Sequence, residues 1–472
     1  MNKKKQKNSG WKTFIEIIKN KKTMLALFTT IVILILFRIG SVIPMPFIQL
    51  NQNFRQQGSF FSIVNLLGGG GLSQLSMFAI GIGPYITAQI IMQLLSTELI
   101  PPLAKLQKSG ERGRKKIEVI TRIITLPLAV MQAVVIINLL SRNDQFFSIE
   151  GAPFAKDSPL FYVTYIFLMV AGTYVSLFLA DLISKKGLGN GITLLILSGI
   201  VAGLFNQFSS IFTNLGVVTT QRIAQVIGFI LYVLFYLIIL IGVIFVNNST
   251  RKIPIQQTGQ ALILDHRKLP FLPIKIMTAG VMPVIFASTI LSIPAQVSEF
   301  LDHNSNAYSI IQNYFIIDSW SGLAIYVGLI FLFTFFFSYV QLNPPRMSED
   351  IKKSGRFIPG ILVGINTEKY LNRVIYRINW LGAPILSFLA SLPHLVSLIA
   401  KQINNGVPVI QSGQIFGGTS LIIMVSATLE LWNAIVSTST STNYAYQRKE
   451  IETNIIINKD DESKNSKSSN LW

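Results

Sequence analysis

The stretch "LLGGGGLSQLSMFAIGIGPYI" (66–86) is apolar enough to enter a membrane, yet it begins with four consecutive glycines, Gly68 to Gly71. It then adds Gly81, Gly83 and Pro84. Glycine and proline weaken a helix interior by about 1 and about 3 kcal/mol relative to alanine. A span that opens with so many helix breakers is built for something other than anchoring.

The rest of the chain sets the class. Half of the 472 residues are hydrophobic, 13% are charged, and the mean hydropathy is +0.52. Soluble domains carry roughly 25% charged residues, so most of this chain belongs in lipid. A bilayer core of ~30 Å takes about 20 apolar residues per helix. Ten such stretches are expected, near 24–43, 75–95, 117–140, 160–182, 190–206, 224–246, 277–297, 323–340, 370–393 and 418–438. Runs this long leave no room for the alternation of a barrel strand. An all-α polytopic membrane protein follows.

"MNKKKQKNSG" and the apolar run after it have the outline of a signal peptide, but no small-residue cleavage site follows, so a retained first span is expected. With the N-terminus inside, the even-numbered connections, counted with the first turns of span nine, hold twenty Lys and Arg residues, Arg251, Lys252, Arg346, Lys352, Lys353 and Arg356 among them. The odd-numbered ones hold five. The positive-inside rule then places both termini in the cytoplasm. This orientation accounts for most of the net charge of +19.

Several chemistries are excluded. Without cysteine there is no disulfide, thiol nucleophile or thiolate site. The three histidines, His266, His303 and His394, fall in separate connections without ligand spacing, so no metal is expected. The four glycines lack a following lysine, and "GLGNG" (187–191) joins two spans rather than a strand and a helix, so no phosphate loop is present. No cofactor and no catalytic set is indicated. Charges inside spans usually mark function. Asp181 and Arg38 lie near span ends, and Glu430 is the one deeper acid, which is thin material for an ion-coupled carrier with broken helices. That carrier is the second reading.

Seven stretches in order, "FRIGSVIPMP" (37–46), "GGGLSQLSMFAIGIGPYITAQIIMQLL" (69–95), "GERGRKKIEVITR" (110–122), "GLGNGITLLILSGIVAGL" (187–204), "AGVMPVIFASTILSIPAQV" (279–297), "KKSGRFIPGI" (352–361) and "GGTSLIIMV" (417–425), resemble the SecY family of protein-conducting channels. The resemblance implies ten helices in two pseudo-symmetric five-helix halves around a central pore. The expected segments are a basic N-terminus (1–23), a first half (24–206), a second half (207–442) and a polar tail (443–472).

It also implies a plug over 60–72, including Phe60, Leu66, Leu67, Gly68, Gly69, Gly70, Gly71 and Leu72. Carried over residue by residue, the pore ring falls on Ile82, Ile86, Ile192, Ile196, Ile285 and Ile423. The pairs 82/86 and 192/196 share a helix face by their i, i+4 spacing. A lateral gate between spans two and three and spans seven and eight would carry Thr87, Gln93, Gln132, Ser288, Thr289 and Ile293. Its polar groups either bond across the seam or bond to their own backbone.

The family works in bacterial and plastid membranes with a SecE-type and often a SecG-type membrane subunit, and with a SecA-type ATPase motor or a ribosome. It passes preproteins, recognises signal peptides and releases apolar segments to lipid. Frequent Lys, Asn and Ile favour a bacterial plasma membrane over a thylakoid. One motif departs: family members typically carry "PGIRPG" where residues 359–364 read "PGILVG", so Leu362 replaces an arginine. Docking then falls to Lys352, Lys353 and Arg356 or to an apolar contact at Leu362. The cationic cluster is the expected one, because surface charge steers encounter.

Overall fold

The computed structural model describes residues 20–50, 68–96, 100–142, 147–149, 158–214, 222–257, 270–298, 301, 305–317, 319–402 and 420–439. Among the described residues ten helices overlap the ten expected spans. They are α1 (Lys21–Val42), α2 (Gly83–Leu94), α4 (Glu111–Arg142), α5 (Pro159–Lys186), α6 (Gly191–Asn214), α7 (Arg222–Asn248), α8 (Met282–Ser298), α10 (Trp320–Leu342), α12 (Ile365–Gln402) and α13 (Ser420–Ser439). Three shorter helices, α3 (Pro101–Lys108), α9 (Asn306–Tyr314) and α11 (Pro344–Lys353), lie in the connections. Among the described residues α1, α4, α5, α10, α12 and α13 each carry a stretch long and apolar enough to cross a bilayer, and α6, α7 and α8 carry shorter ones. The protein is an all-α, multi-pass membrane protein.

Span two differs from its expected extent of 75–95. Its helix begins only at Gly83, because Leu75 (φ 44°) and Gly81 (φ 53°) hold left-handed backbone that no α-helix accommodates. Residues 68–82 instead form turns and one 3-10 turn, Leu72–Gln74.

The sequence reading also missed three short antiparallel ribbons. Strand β1 (Ile48–Leu50) pairs with β2 (Phe147–Ile149), β3 (Thr250–Pro254) with β5 (Phe271–Lys275), and β4 (Gln256–Gln257) with β6 (Arg356–Phe357). A period-two signal was present: Ile253 and Ile255 face inward on one side of the central ribbon, and Leu272, Ile274 and Ile276 do so on the other.

The backbone groups into two units. One takes the described parts of Met1–Phe37, Leu177–Leu195 and Ala427–Trp472. Within it the "GLGNG" turn is tied down twice. The Leu188 N–H donates to Thr30 Oγ1 (3.0 Å), and the Gly191 N–H donates to Ser184 Oγ (2.9 Å).

The other unit takes Arg38–Ser176 and Ile196–Ser426. Here α2 packs on α4, and α10 packs on both α8 and α12. The end of α10 and the start of α11 are one device. Asn343, left-handed at φ 43°, stops α10 and caps α11 by accepting from the Arg346 N–H (3.3 Å). Below α11, the ribbons and the first turns of α12 enclose a core of their own. It contains Ile253, Ile274, Ile351, Ile358, Leu371, Val374 and Ile378. The connections before α8 and before α12 are thereby joined in one small lobe.

Candidate functional site

The glycine run is seated rather than loose. Gly69 and Gly70 take φ of 72° and 89°, open to glycine at no steric cost and strained for other residues. Arg38, at the end of α1, turns in and donates from Nη1 to Gly69 O (3.4 Å) and Ser41 Oγ (3.3 Å). On α6, a Cβ at Gly199 would lie 2.5 Å from Gly69 O and nearer still to its Cα and carbonyl carbon, so only a glycine lets the turn approach. The turn then enters the interior through Leu72 and Leu75. They are buried with Met45, Ile136, Phe161, Tyr165 and Met169. The Met45 N–H donates to Leu75 O (2.9 Å), and Tyr165 Oη donates to Pro46 O (2.7 Å), which fixes the chain after α1 against the same core. Of the residues assigned to the plug, Phe60, Leu66 and Leu67 lie outside the described residues, and Gly68 to Leu72 form this seated turn.

Five of the six isoleucines assigned to the ring share one placement: each sits in the first two turns of its helix or at its cap. Ile82 caps α2 and Ile86 lies one turn on, Ile192 and Ile196 open α6, and Ile285 is in the first turn of α8, while Ile423 lies on α13. Ile82, Ile86, Ile196, Ile285 and Ile423 are buried and Ile192 is half-buried. By contrast, Ile241 on α7 is 64% exposed.

For the seam, the hydroxyls choose their own helices. Thr87 Oγ1 donates to Gly83 O (3.2 Å), while Ser288 Oγ and Thr289 Oγ1 both donate to Ile285 O (2.9 and 2.8 Å). Gln93 and Gln132 are half-buried, and Ile293 is exposed.

The basic residues expected to dock a partner come together on the lobe. Arg251 and Lys252 stand on β3, Arg346, Lys352 and Lys353 on α11, and Arg356 on β6, all exposed. Lys252 Nζ lies 4.8 Å over the Phe271 ring, and Lys353 Nζ is 3.2 Å from Glu349 Oε2. Leu362 stands exposed at the tip between β6 and α12. The sequence reading missed Arg38 and Gly199 as parts of the site. Arg38 was legible as a charge in a span, but its inward turn depends on a carbonyl 31 positions away.

A family model described as SecY matches residues 76–432. The chain belongs to the SecY family. It is 48% identical over 463 residues to the protein translocase subunit SecY of Mycoplasmoides gallisepticum, covering 96% of this chain and 90% of that protein. Among solved structures it is similar to a SecY protein whose plug domain is described as stabilising the closed state of the translocation channel. That match has a TM-score of 0.61 and 19% identity, over 89% of this chain and 93% of the other. It is also similar to Sec61 in the canine ribosome–channel complex, with a TM-score of 0.58 and 18% identity, over 89% and 93%. At such identities the likeness carries the SecY fold. The carrier reading is not supported by any of these matches.

Proposed function

We propose that the chain is the pore-forming subunit of a Sec-type translocase in a bacterial plasma membrane. It crosses the bilayer ten times in two five-helix halves hinged near the fifth span, and both termini are cytoplasmic. The observation that carries the reading is the seated glycine turn in a SecY-family chain. A Gly-rich segment whose glycines meet the long Arg38 bond and the close approach of Gly199, next to a buried Leu72, is a stopper that can leave its seat. Non-helical backbone at this depth is tolerable only where it lines a cavity.

The isoleucine ring is the second seal. Branched aliphatic side chains at a constriction exclude water and ions by dewetting, and they give way around an extended polypeptide. The seam between the α2–α4 pair and the α8–α10 pair opens sideways. Because Thr87, Ser288 and Thr289 bond to their own helices, parting the pairs leaves none of these hydroxyls unsatisfied, and an unmade buried hydrogen bond costs about 1–3 kcal/mol. Apolar segments of a passing chain then meet lipid.

The conduit itself is passive and catalyses nothing. SecE-type and SecG-type subunits complete it, and a SecA-type motor or a ribosome on the basic lobe drives the preprotein. Reconstitution in proteoliposomes tests this. Protection of a preprotein from protease only with motor and ATP is the expected result. Uptake of a small solute down an ion gradient, with no preprotein protected, would overturn it.

A further inference from the structure

The tip of the basic lobe is apolar and uncovered. Leu362 is 75% exposed, Val363 47% and Ile365 72%. The backbone beneath them is fixed. Thr367 Oγ1 donates to Leu362 O (3.0 Å), Ser348 Oγ donates to Gly364 O (2.8 Å), and the Ile361 N–H donates to Ile358 O (3.1 Å). Ile358 and Leu371, just inside, belong to the buried core of the lobe. Three aliphatic side chains are therefore held outward on a supported turn.

Lipid does not account for them. Lys369, Arg373 and Arg377 follow the tip along α12 and are exposed, so the hydrocarbon begins beyond Arg377. Ile365 lies twelve residues before Arg377, about 18 Å of helix at 1.5 Å per residue. The headgroup layer on one side of a bilayer adds only ~5–8 Å. With α12 crossing the membrane, the tip stands in water, where exposed aliphatic clusters mark interaction sites.

Its surroundings indicate the partner. Lys352, Lys353, Arg356, Lys369 and Arg373 are exposed around the tip, against Glu349 and Asp350 on α11 and the half-buried Glu368. A nucleic acid is held by cations on its phosphates and read by aromatic stacking on its bases, and Leu, Val and Ile provide neither. An apolar anchor inside a charged rim is instead the anatomy of a protein–protein hot spot.

We propose that Leu362, Val363 and Ile365 form an anchor that enters an apolar pocket with an acidic rim on a soluble protein, while the surrounding cations steer its approach. This rests on the reading of the lobe as the docking site for the motor, and it divides the work. The cations set the association rate and its salt dependence, and the anchor sets residence time.

The test measures binding of the cognate SecA-type ATPase to the assembled channel in nanodiscs, at several ionic strengths. Leu362→Ala should raise the dissociation rate about 5- to 30-fold and leave the association rate and its salt slope unchanged. Leu362→Met, similar in volume, should restore slow dissociation. Reversing Lys352, Lys353 and Arg356 to glutamate should lower the association rate, flatten its salt slope and change dissociation little. Binding indifferent to Leu362→Ala overturns the anchor alone. No binding by the unaltered channel overturns the docking reading and the anchor with it.

Discussion

Gly199→Ala adds one methyl group where α6 meets the glycine turn, and it should unseat the candidate plug. The new Cβ would sit 2.5 Å from Gly69 O, whereas ordinary contact begins near 3.4 Å, so the turn must retreat by about 1 Å. All three obstructing atoms, Cα, C and O of Gly69, are backbone, and no side chain can swing aside. The i→i−4 ladder makes α6 the stiffer partner, and the turn yields. Alanine also favours the helix by about 0.5–1 kcal/mol over glycine, so α6 itself is not weakened. Overpacking of this kind costs about 1–3 kcal/mol, which at 1.4 kcal/mol per tenfold shifts the seated-to-unseated ratio about 5- to 140-fold. Resting conductance of the purified channel in planar bilayers should rise by that order, with no loss of thermal stability. Gly328→Ala on α10, where an added Cβ meets nothing within 4 Å, is the matched control and should stay closed. Resting currents of Gly199→Ala equal to those of the control would refute the seating argument.

Three further outcomes are expected. Replacing Ile82, Ile192 and Ile285 together by asparagine should wet the constriction and raise resting ion currents, and currents no larger than the parent's would remove the ring from these positions. A cysteine pair at Thr87 and Ile293, clean in a chain without cysteine, should cross-link on oxidation, block preprotein export and release the block on reduction. Full export in the cross-linked state would remove the gate from α2 and α8. Leu371→Ala, in the buried core of the lobe, should cost about 2–5 kcal/mol, seen as loss of motor binding with resting currents unchanged. Unaltered binding would show that the lobe does not present the docking surface.

Long apolar runs made the ten helices legible, because a bilayer requires every backbone group to be bonded within its own segment. The start of the second helix was not legible at residue level. Leu75 is an apolar residue in left-handed backbone, held there by burial at 0% exposure and by the bond from Met45, both tertiary effects. The basic lobe escaped for a related reason: β4 and β6 are two residues each and pair Gln256 with Phe357 and Gln257 with Arg356, far apart in the chain, so neither carries a local signal. Arg38 and Gly199 were readable as a charge and a glycine in apolar surroundings, but their common partner, Gly69, is fixed only by the fold. The choice of the Thr87, Ser288 and Thr289 hydroxyls was open in the sequence, since i−3 and i−4 carbonyls and a neighbouring helix offer similar acceptors.

Site-specific photocross-linking of a stalled preprotein tests the central claim most directly. A photoreactive residue replacing the buried Ile285 should attach to the preprotein in transit, while the same residue replacing the exposed Ile241 should attach to lipid. Adducts with the preprotein from Ile241 and none from Ile285 would contradict a polypeptide path along these isoleucines.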